Sequence, residues 1–259
     1  MQRVIVAAAV LSAMGGAAAG AAELKPETSA AFDRYIRQTE QRLDARKSFL
    51  WADDSPDLAS HIRQGAVVVE PYGDRAQTAV PDGIIHDWVG WVFLRGVPLA
   101  HTMDFMRDYN HQADFYKPEV ADARILEQHD DHYRVYMRLL KKLVLTVVLD
   151  TEHDVQYVRV DRTRWRSSSR STRIAEVDKP GKPGEHDLPP GTGQGFLWRL
   201  NSYWRFEERD GGTWVECEAI SLTRDIPTGL GWLIQPIIQE LPKQSLESTL
   251  RHTRAALEK

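Results

Sequence analysis

The sequence predicts an α+β fold in which antiparallel strands are closed by one long C-terminal helix, and three observations carry that expectation. Phe196, Trp198, Leu200, Ser202, Trp204 and Phe206 occupy every second position, the spacing of one face of a strand. Asp210-Gly211-Gly212 follows, and a two-residue reversal at either Asp210-Gly211 or Gly211-Gly212 keeps parity, placing Ser202, Trp204 and Phe206 on the same face as Val215, Cys217 and Ala219. Beyond them, Leu230, Ile234, Ile237, Ile238 and Leu241 form one helical stripe, and Leu246, Leu250 and Leu257 form another displaced around the axis. A sheet face that is aromatic on one strand and small on the next needs a cover, and this helix is the element that supplies it. The opposite face carries Arg199, Tyr203 and Arg205 beside Glu216 and Glu218, and reads as charge pairs turned toward water.

The other elements follow in chain order. Arg3, an apolar run from Val4 to Met14 and the small residues Ala19-Gly20-Ala21-Ala22 have the layout of a cleaved export signal, so the mature chain is expected to start near Ala22 or Glu23. Between Ser29 and Leu50, Phe32, Ile36 and Leu43 stand on a charged background and predict an amphipathic helix on the outside of the domain. Gly83 to Leu94 is apolar and aromatic at strand length. Pro98 opens Leu99 to Tyr116, where Met103, Met106 and Tyr109 predict one or two short helices. A meander is expected next: Ala123–Gln128, a turn at His129-Asp130-Asp131, Tyr133–Leu140, Leu143–Leu149, a second turn at Thr151-Glu152-His153, and Val155–Trp165. Ser167 to Ser171 reads as a break before Thr172–Val177, and Lys179 to Pro190, with four prolines and two glycines, as an exposed loop. Pro242 sits where the two helical stripes change phase, which predicts a kink or interruption there.

Composition narrows the functional classes. With 259 residues, 42% hydrophobic and 27% charged, the chain can bury one substantial core and is neither a disordered nor an integral membrane protein. A net charge of −4 offers no footprint for nucleic acid, and no segment after the signal is long and apolar enough to be a membrane-spanning helix. Cys217 is the single cysteine, so no intrachain disulfide can form, and its inward parity makes it a small core residue. The pairs His86-Asp87, His129-Asp130, His153-Asp154 and His186-Asp187 invite a metal reading, but the last three are placed in turns, where both residue types are ordinary, and no metal is expected. There is no nucleophile elbow, and Gly191-Thr192-Gly193-Gln194-Gly195 lacks the lysine of a phosphate loop, so no catalytic residue and no cofactor is assigned.

The element order, with Gly83 to Leu94, the segment YNHQADFYKPEV from Tyr109, the hairpin WRFEERDGGTWVECEAISL and the tail WLIQPIIQELPKQSLESTLRHTRAAL, resembles the START-like (SRPBCC) superfamily, which includes Bet v 1-like proteins, lipid-transfer domains and polyketide cyclase/dehydrase relatives. The resemblance spans Gly83 to Lys259; residues 1–22 are then a signal peptide and 23–82 an N-terminal helix and extension. It implies a helix-grip fold, a curved antiparallel sheet wrapped around the C-terminal helix with an apolar cavity between them, and hence a hydrophobic small-molecule or lipid partner.

Parity and helical phase name the candidates for such a cavity: Trp198, Trp204, Ile234 and Ile238 for its wall, and Tyr109 and Tyr116 for its entrance. Among the arginines set in strands, Arg138 is the candidate to anchor an acidic head group at the mouth. The function expected is carriage or binding of a lipid, sterol or polyketide-like molecule by an exported, periplasmic or secreted protein. Two alternatives stand beside it: a cyclase or dehydratase using a polar pair drawn from His101, Tyr136, Glu176 and Tyr203, and a module binding another envelope protein.

Overall fold

A computed structural model describes residues 22–142, 146–225 and 231–258, with backbone alone for 231–239. Residues 1–21 of the expected signal, the residues 143–145 and 226–230, and the side chains of Ile234 and Ile238 therefore lie outside the described residues.

The chain opens with α1 (Pro26–Ala45), begun by a proline at its first turn and carrying Phe32, Ile36 and Leu43 on one buried stripe. A 3-10 turn at Trp51–Asp54 leads to α2 (Pro56–Arg63), capped by Ser55, whose Oγ accepts from Leu58 N at 3.4 Å. The short strands β1 (Val68–Pro71) and β2 (Gln77–Val80) precede the long β3 (Gly83–Arg95). Then come α3 (Leu99–Arg107), α4 (Gln112–Phe115), β4 (Val120–His129), β5 (His132–Lys142), β6 (Thr146–Arg159), β7 (Arg164–Asp178), β8 (His186–Asp187), β9 (Arg199–Arg209), β10 (Gly212–Arg224) and α5 (Gly231–Leu257). The strands pair antiparallel in the order β1-β3-β10-β9-β7-β6-β5-β4, with β2 also on β3 and β8 on β7, and form a large curved sheet. The α+β class expected from the sequence is the one observed.

The final hairpin turns at Asp210-Gly211, both at positive φ (58° and 77°), and Gly212 pairs with Arg209. Glycine is required at 212 because a Cβ there would collide with the Leu94 carbonyl oxygen of the adjacent strand. Cross-strand partners Val215 and Phe206, Cys217 and Trp204, and Ala219 and Ser202 share the inner face, as parity requires. This face receives α5: Leu246, Leu250 and Leu257 pack with Trp88, Val92, Phe206, Val215 and Cys217. At Gly90 a Cβ would stand 2.6 Å from Leu250 Cδ1 and 3.2 Å from Leu246 Cδ2, so glycine sets how closely the helix approaches.

Several expectations change, and Val155–Trp165, expected as one strand, is divided between β6 and β7, which pair with each other. The face with Glu216 and Glu218 does not meet water; α1, the 3-10 turn and α2 cover it, and both carboxylates are only 2% exposed. Opposite charges reach them from the helix side rather than across the strands: Arg46 bonds Glu216 at 2.7 Å, and Arg42 bonds Glu218. Thr151-Glu152-His153 is no turn but the middle of β6, with Thr151 and His153 facing in and Glu152 out, so His153-Asp154 lies within a strand. The serines of 167–171 likewise continue β7 without a break. Finally, α5 is not interrupted at Pro242 and continues from Gly231 to Leu257.

Candidate functional site

Curvature of the sheet and the seat of α5 define an inner face whose two ends differ in chemistry. Toward the C-terminus of α5 it is packed with Val92, Leu94, Phe206, Val215 and Leu250, all unexposed. Toward its N-terminus the same face turns polar and less tightly covered. Ala219, in a central strand, is only half-buried, as are its neighbours Ser202, Trp204 and Ser169 across the sheet and Met137 beyond. Side chains pointing under a helix from the middle of a sheet are normally sealed. Their accessible surface shows only that this end of the inner face is less sealed than the other.

Trp204 lies on the inner face, as strand parity requires, with its indole N–H donating to Ser202 Oγ at 3.2 Å and its ring stacked on Phe206 at 6.1 Å between centroids. Trp198 does not. It precedes β9, its N–H donates to the Leu222 carbonyl at 2.8 Å, and its ring packs with Phe32, Ile36 and Ile220 under α1, because strand parity starts only at Arg199.

Tyr109 and Tyr116 are buried, at 4% and 6% exposure, rather than standing at a rim. Tyr109 Oη pairs with Tyr157 Oη at 2.8 Å, and Tyr116 Oη with Thr253 Oγ1 at 2.9 Å, so these rings tie the α3–α4 segment to β6 and α5. Burial raises both phenols, that of Tyr116 to about 12. Arg138 shares parity with Arg134 and Tyr136, away from the inner residues Val135 and Met137; it is matched by Glu185 at 2.5 Å and Asp150 at 3.7 Å, which leaves no free charge for a head group inside.

The four residues considered for acid–base work do not converge. His101 is exposed, Tyr136 donates to Asp150 on the outer side, and Tyr203 donates to Glu40 of α1. Glu176 is occupied in holding a loop, accepting the N–H groups of Gln194, Gly195 and Phe196 at 2.7, 2.8 and 3.2 Å. Cys217 is 1% exposed and its thiol is pushed well up by burial, with Glu218 and Glu216 adding to it, the opposite of a nucleophile.

Sequence reasoning missed the polar inner residues His86, Thr151, His153 and Ser221, each under 7% exposed. His86 Nε2 lies 3.0 Å from Thr223 Oγ1 and His153 Nε2 lies 3.1 Å from Thr151 Oγ1; burial lowers both imidazoles to about 4, so they are neutral near pH 7. The available signal was a histidine at an inward position of an otherwise apolar strand.

A groove of about 250 Å³ lies on the outer side between α1 and strands β6, β7 and β9. Leu43, Val158, Arg166 and Arg205 line it. Arg205 donates to the Leu43 and Phe49 carbonyls, and burial beside Arg46 lowers its guanidinium to about 10. Among the described residues no group of three His, Cys, Asp or Glu is placed to hold a metal ion, and no helix is long and apolar enough to cross a membrane.

No family model matches the sequence, and no curated protein matches it. Solved structures resemble the fold. A STAR-related lipid transfer protein from Xanthomonas axonopodis is 16% identical over 73% of this chain and 98% of its own, with a TM-score of 0.46. The Zhui aromatase/cyclase from Streptomyces sp. R1128 is 14% identical over 67% and 94%, with a TM-score of 0.43. A START superfamily protein from Mycobacterium smegmatis is 8% identical over 67% and 97%, with a TM-score of 0.42. Likenesses at these levels say nothing of ligand or reaction. What decides the architecture is the chain's own arrangement, one curved antiparallel sheet with α5 seated across its inner face.

The chain has a helix-grip fold. In this helix-grip fold, β1 and β2 extend the β3 edge, and α1 and α2 add a layer on the outer face.

Proposed function

We propose that this protein binds and carries a hydrophobic small molecule, a lipid, sterol or polyketide-like compound, between the inner face of the sheet and the N-terminal half of α5. One observation carries the reading: the inner residues Ser202, Trp204 and Ala219 keep accessible surface although α5 spans the face to which they belong. An apolar guest covering them gains about 25 cal/mol per Å² removed from water, before ordering costs. The basic start, apolar run and small-residue site of residues 1–22 support export to the periplasm or beyond as the setting.

Native mass spectrometry of protein purified from its own envelope, followed by organic extraction, tests both parts. The expected result is a stoichiometric hydrophobic compound on a chain beginning at Ala22 or Glu23. Trp204→Asp, placing a charge on the wall, should reduce retention of that compound at least tenfold while the circular dichroism spectrum is kept; unchanged retention removes Trp204 from the wall.

A further inference from the structure

Three buried polar atoms of the inner face have no hydrogen-bond partner. His86 and Trp88 stand two residues apart on the inner face of β3, and Ser221 is the direct cross-strand partner of His86 on β10. Beside them, the half-buried Ala219 pairs with Trp88 on one side and with Ser202 on the other. His86 is fully buried, Ser221 6% exposed and Trp88 7% exposed, yet His86 Nδ1, Ser221 Oγ and Trp88 Nε1 make no hydrogen bond. A buried polar atom left unmatched destabilises the fold, so a patch of three calls for a partner that supplies both donor and acceptor.

The local bonds assign the roles. Thr223 Oγ1 donates to the Arg224 carbonyl at 3.3 Å, which leaves its lone pair to accept from His86 Nε2–H at 3.0 Å. The imidazole proton is then on Nε2, and Nδ1 is a bare acceptor. Burial keeps this ring neutral, lowering it to about 4. The Trp88 indole N–H can only donate, and the Ser221 hydroxyl does either. An acceptor beside two donors matches a group that both gives and receives one hydrogen bond.

We infer that His86, Ser221 and Trp88 form a subsite for a hydroxyl group, so that the guest is an apolar molecule bearing an alcohol, phenol or enol whose O–H donates to His86 Nδ1 and whose oxygen accepts from Ser221 or Trp88. This rests on the carrier reading and adds the chemical class of the cargo. A hydrocarbon guest would leave all three atoms unmatched. A carboxylate would face the Nδ1 lone pair.

The test compares two near-isosteric probes, 2-naphthol and 2-methylnaphthalene, by calorimetry on the full mature chain. Wild type should bind 2-naphthol about tenfold more tightly, the worth of one well-made buried hydrogen bond. His86→Phe should abolish that preference while retaining 2-methylnaphthalene. Ser221→Ala, the milder change, should narrow the preference should His86→Phe fail to fold. Independently, the His86 Nδ1 resonance in a 15N-labelled wild-type protein should show a bare imidazole nitrogen that shifts on adding 2-naphthol and not on adding 2-methylnaphthalene. Equal affinity for both probes, or a protonated Nδ1, overturns the subsite and leaves carriage standing, the three atoms then being matched by water alone. Failure to bind either probe sinks the subsite together with the carrier reading.

Discussion

Glu216 shows how much of this protein is decided by single buried charges. Its carboxylate accepts from Arg46 at 2.7 Å, from the Trp91 indole at 2.7 Å and from the Trp51 backbone N–H at 2.5 Å, donors that oppose the burial by which its carboxyl is raised above the ordinary range. Arg46 is equally enclosed, its side chain being 4% exposed. Glu216→Ala strands that cation in the interior and should cost about 3–5 kcal/mol in urea unfolding, whereas Glu216→Gln keeps an acceptor and should cost less. Equal losses would show that shape, not charge, is what Arg46 needs. The buried imidazoles act through pH instead. His86 and His153 have folded values lowered from 6.5 to about 4, so their contribution is complete above about pH 6.5 and is lost as the pH falls toward 4. A shift of that size corresponds to roughly 3 kcal/mol for each ring. His153→Phe should therefore flatten the fall of the urea midpoint between pH 6.5 and 4, and a slope identical to wild type would mean that His153 is not kept neutral by burial.

At the level of elements, the layer formed by α1 rests on a titrating contact. Tyr35 Oη donates to Asp87 Oδ2 at 2.9 Å, while burial and the nearby Glu218 carboxylate raise the Asp87 carboxyl well above its ordinary range. A raised folded value means that the contribution of Asp87 is complete below the usual carboxylate pKa and is lost as the pH climbs toward the folded one. Asp87→Asn, which cannot ionise, should raise the melting temperature at pH 8 by several degrees, the gain shrinking toward pH 4; a gain that does not vary with pH would exclude ionisation as its cause. The same layer explains what the sequence could and could not reveal. Parity survives either two-residue turn, so the inner face of β9 and β10 was legible to the residue. The outer face was not, because Arg205 beside Glu216 looks alike whether the neighbour beyond is water or the arginine that follows α1. Thr151-Glu152-His153 misled for a related reason: three polar residues in a row resemble a turn, yet two of them face a polar interior.

Taken as a whole molecule, the helix and sheet were readable, but the chemistry between them was only half so. Trp204 could be placed from alternation alone, whereas His86 could not, since its burial depends on β10 supplying Ser221 and Thr223 from 135 or more positions away. The division at Gly83 raises a further question about the whole, namely whether residues 23–82 are an accessory or part of the core. β1 and β2 both pair with β3, and Val89, Trp91, Phe93 and Trp214 are covered by Leu50, Ala52 and Ile62 from the preceding segment. Removing it uncovers those rings along with the Glu216 and Glu218 carboxylates, whose arginine partners lie at 46 and 42. A fragment of Gly83–Lys259 should therefore bind anilinonaphthalene sulfonate, lose near-ultraviolet circular dichroism and aggregate at concentrations where the chain from Glu23 is monomeric. A fragment that stays monomeric and unfolds cooperatively would mean instead that the sheet and α5 hold their shape without the outer layer, and that the buried charges beneath α1 serve only to dock it.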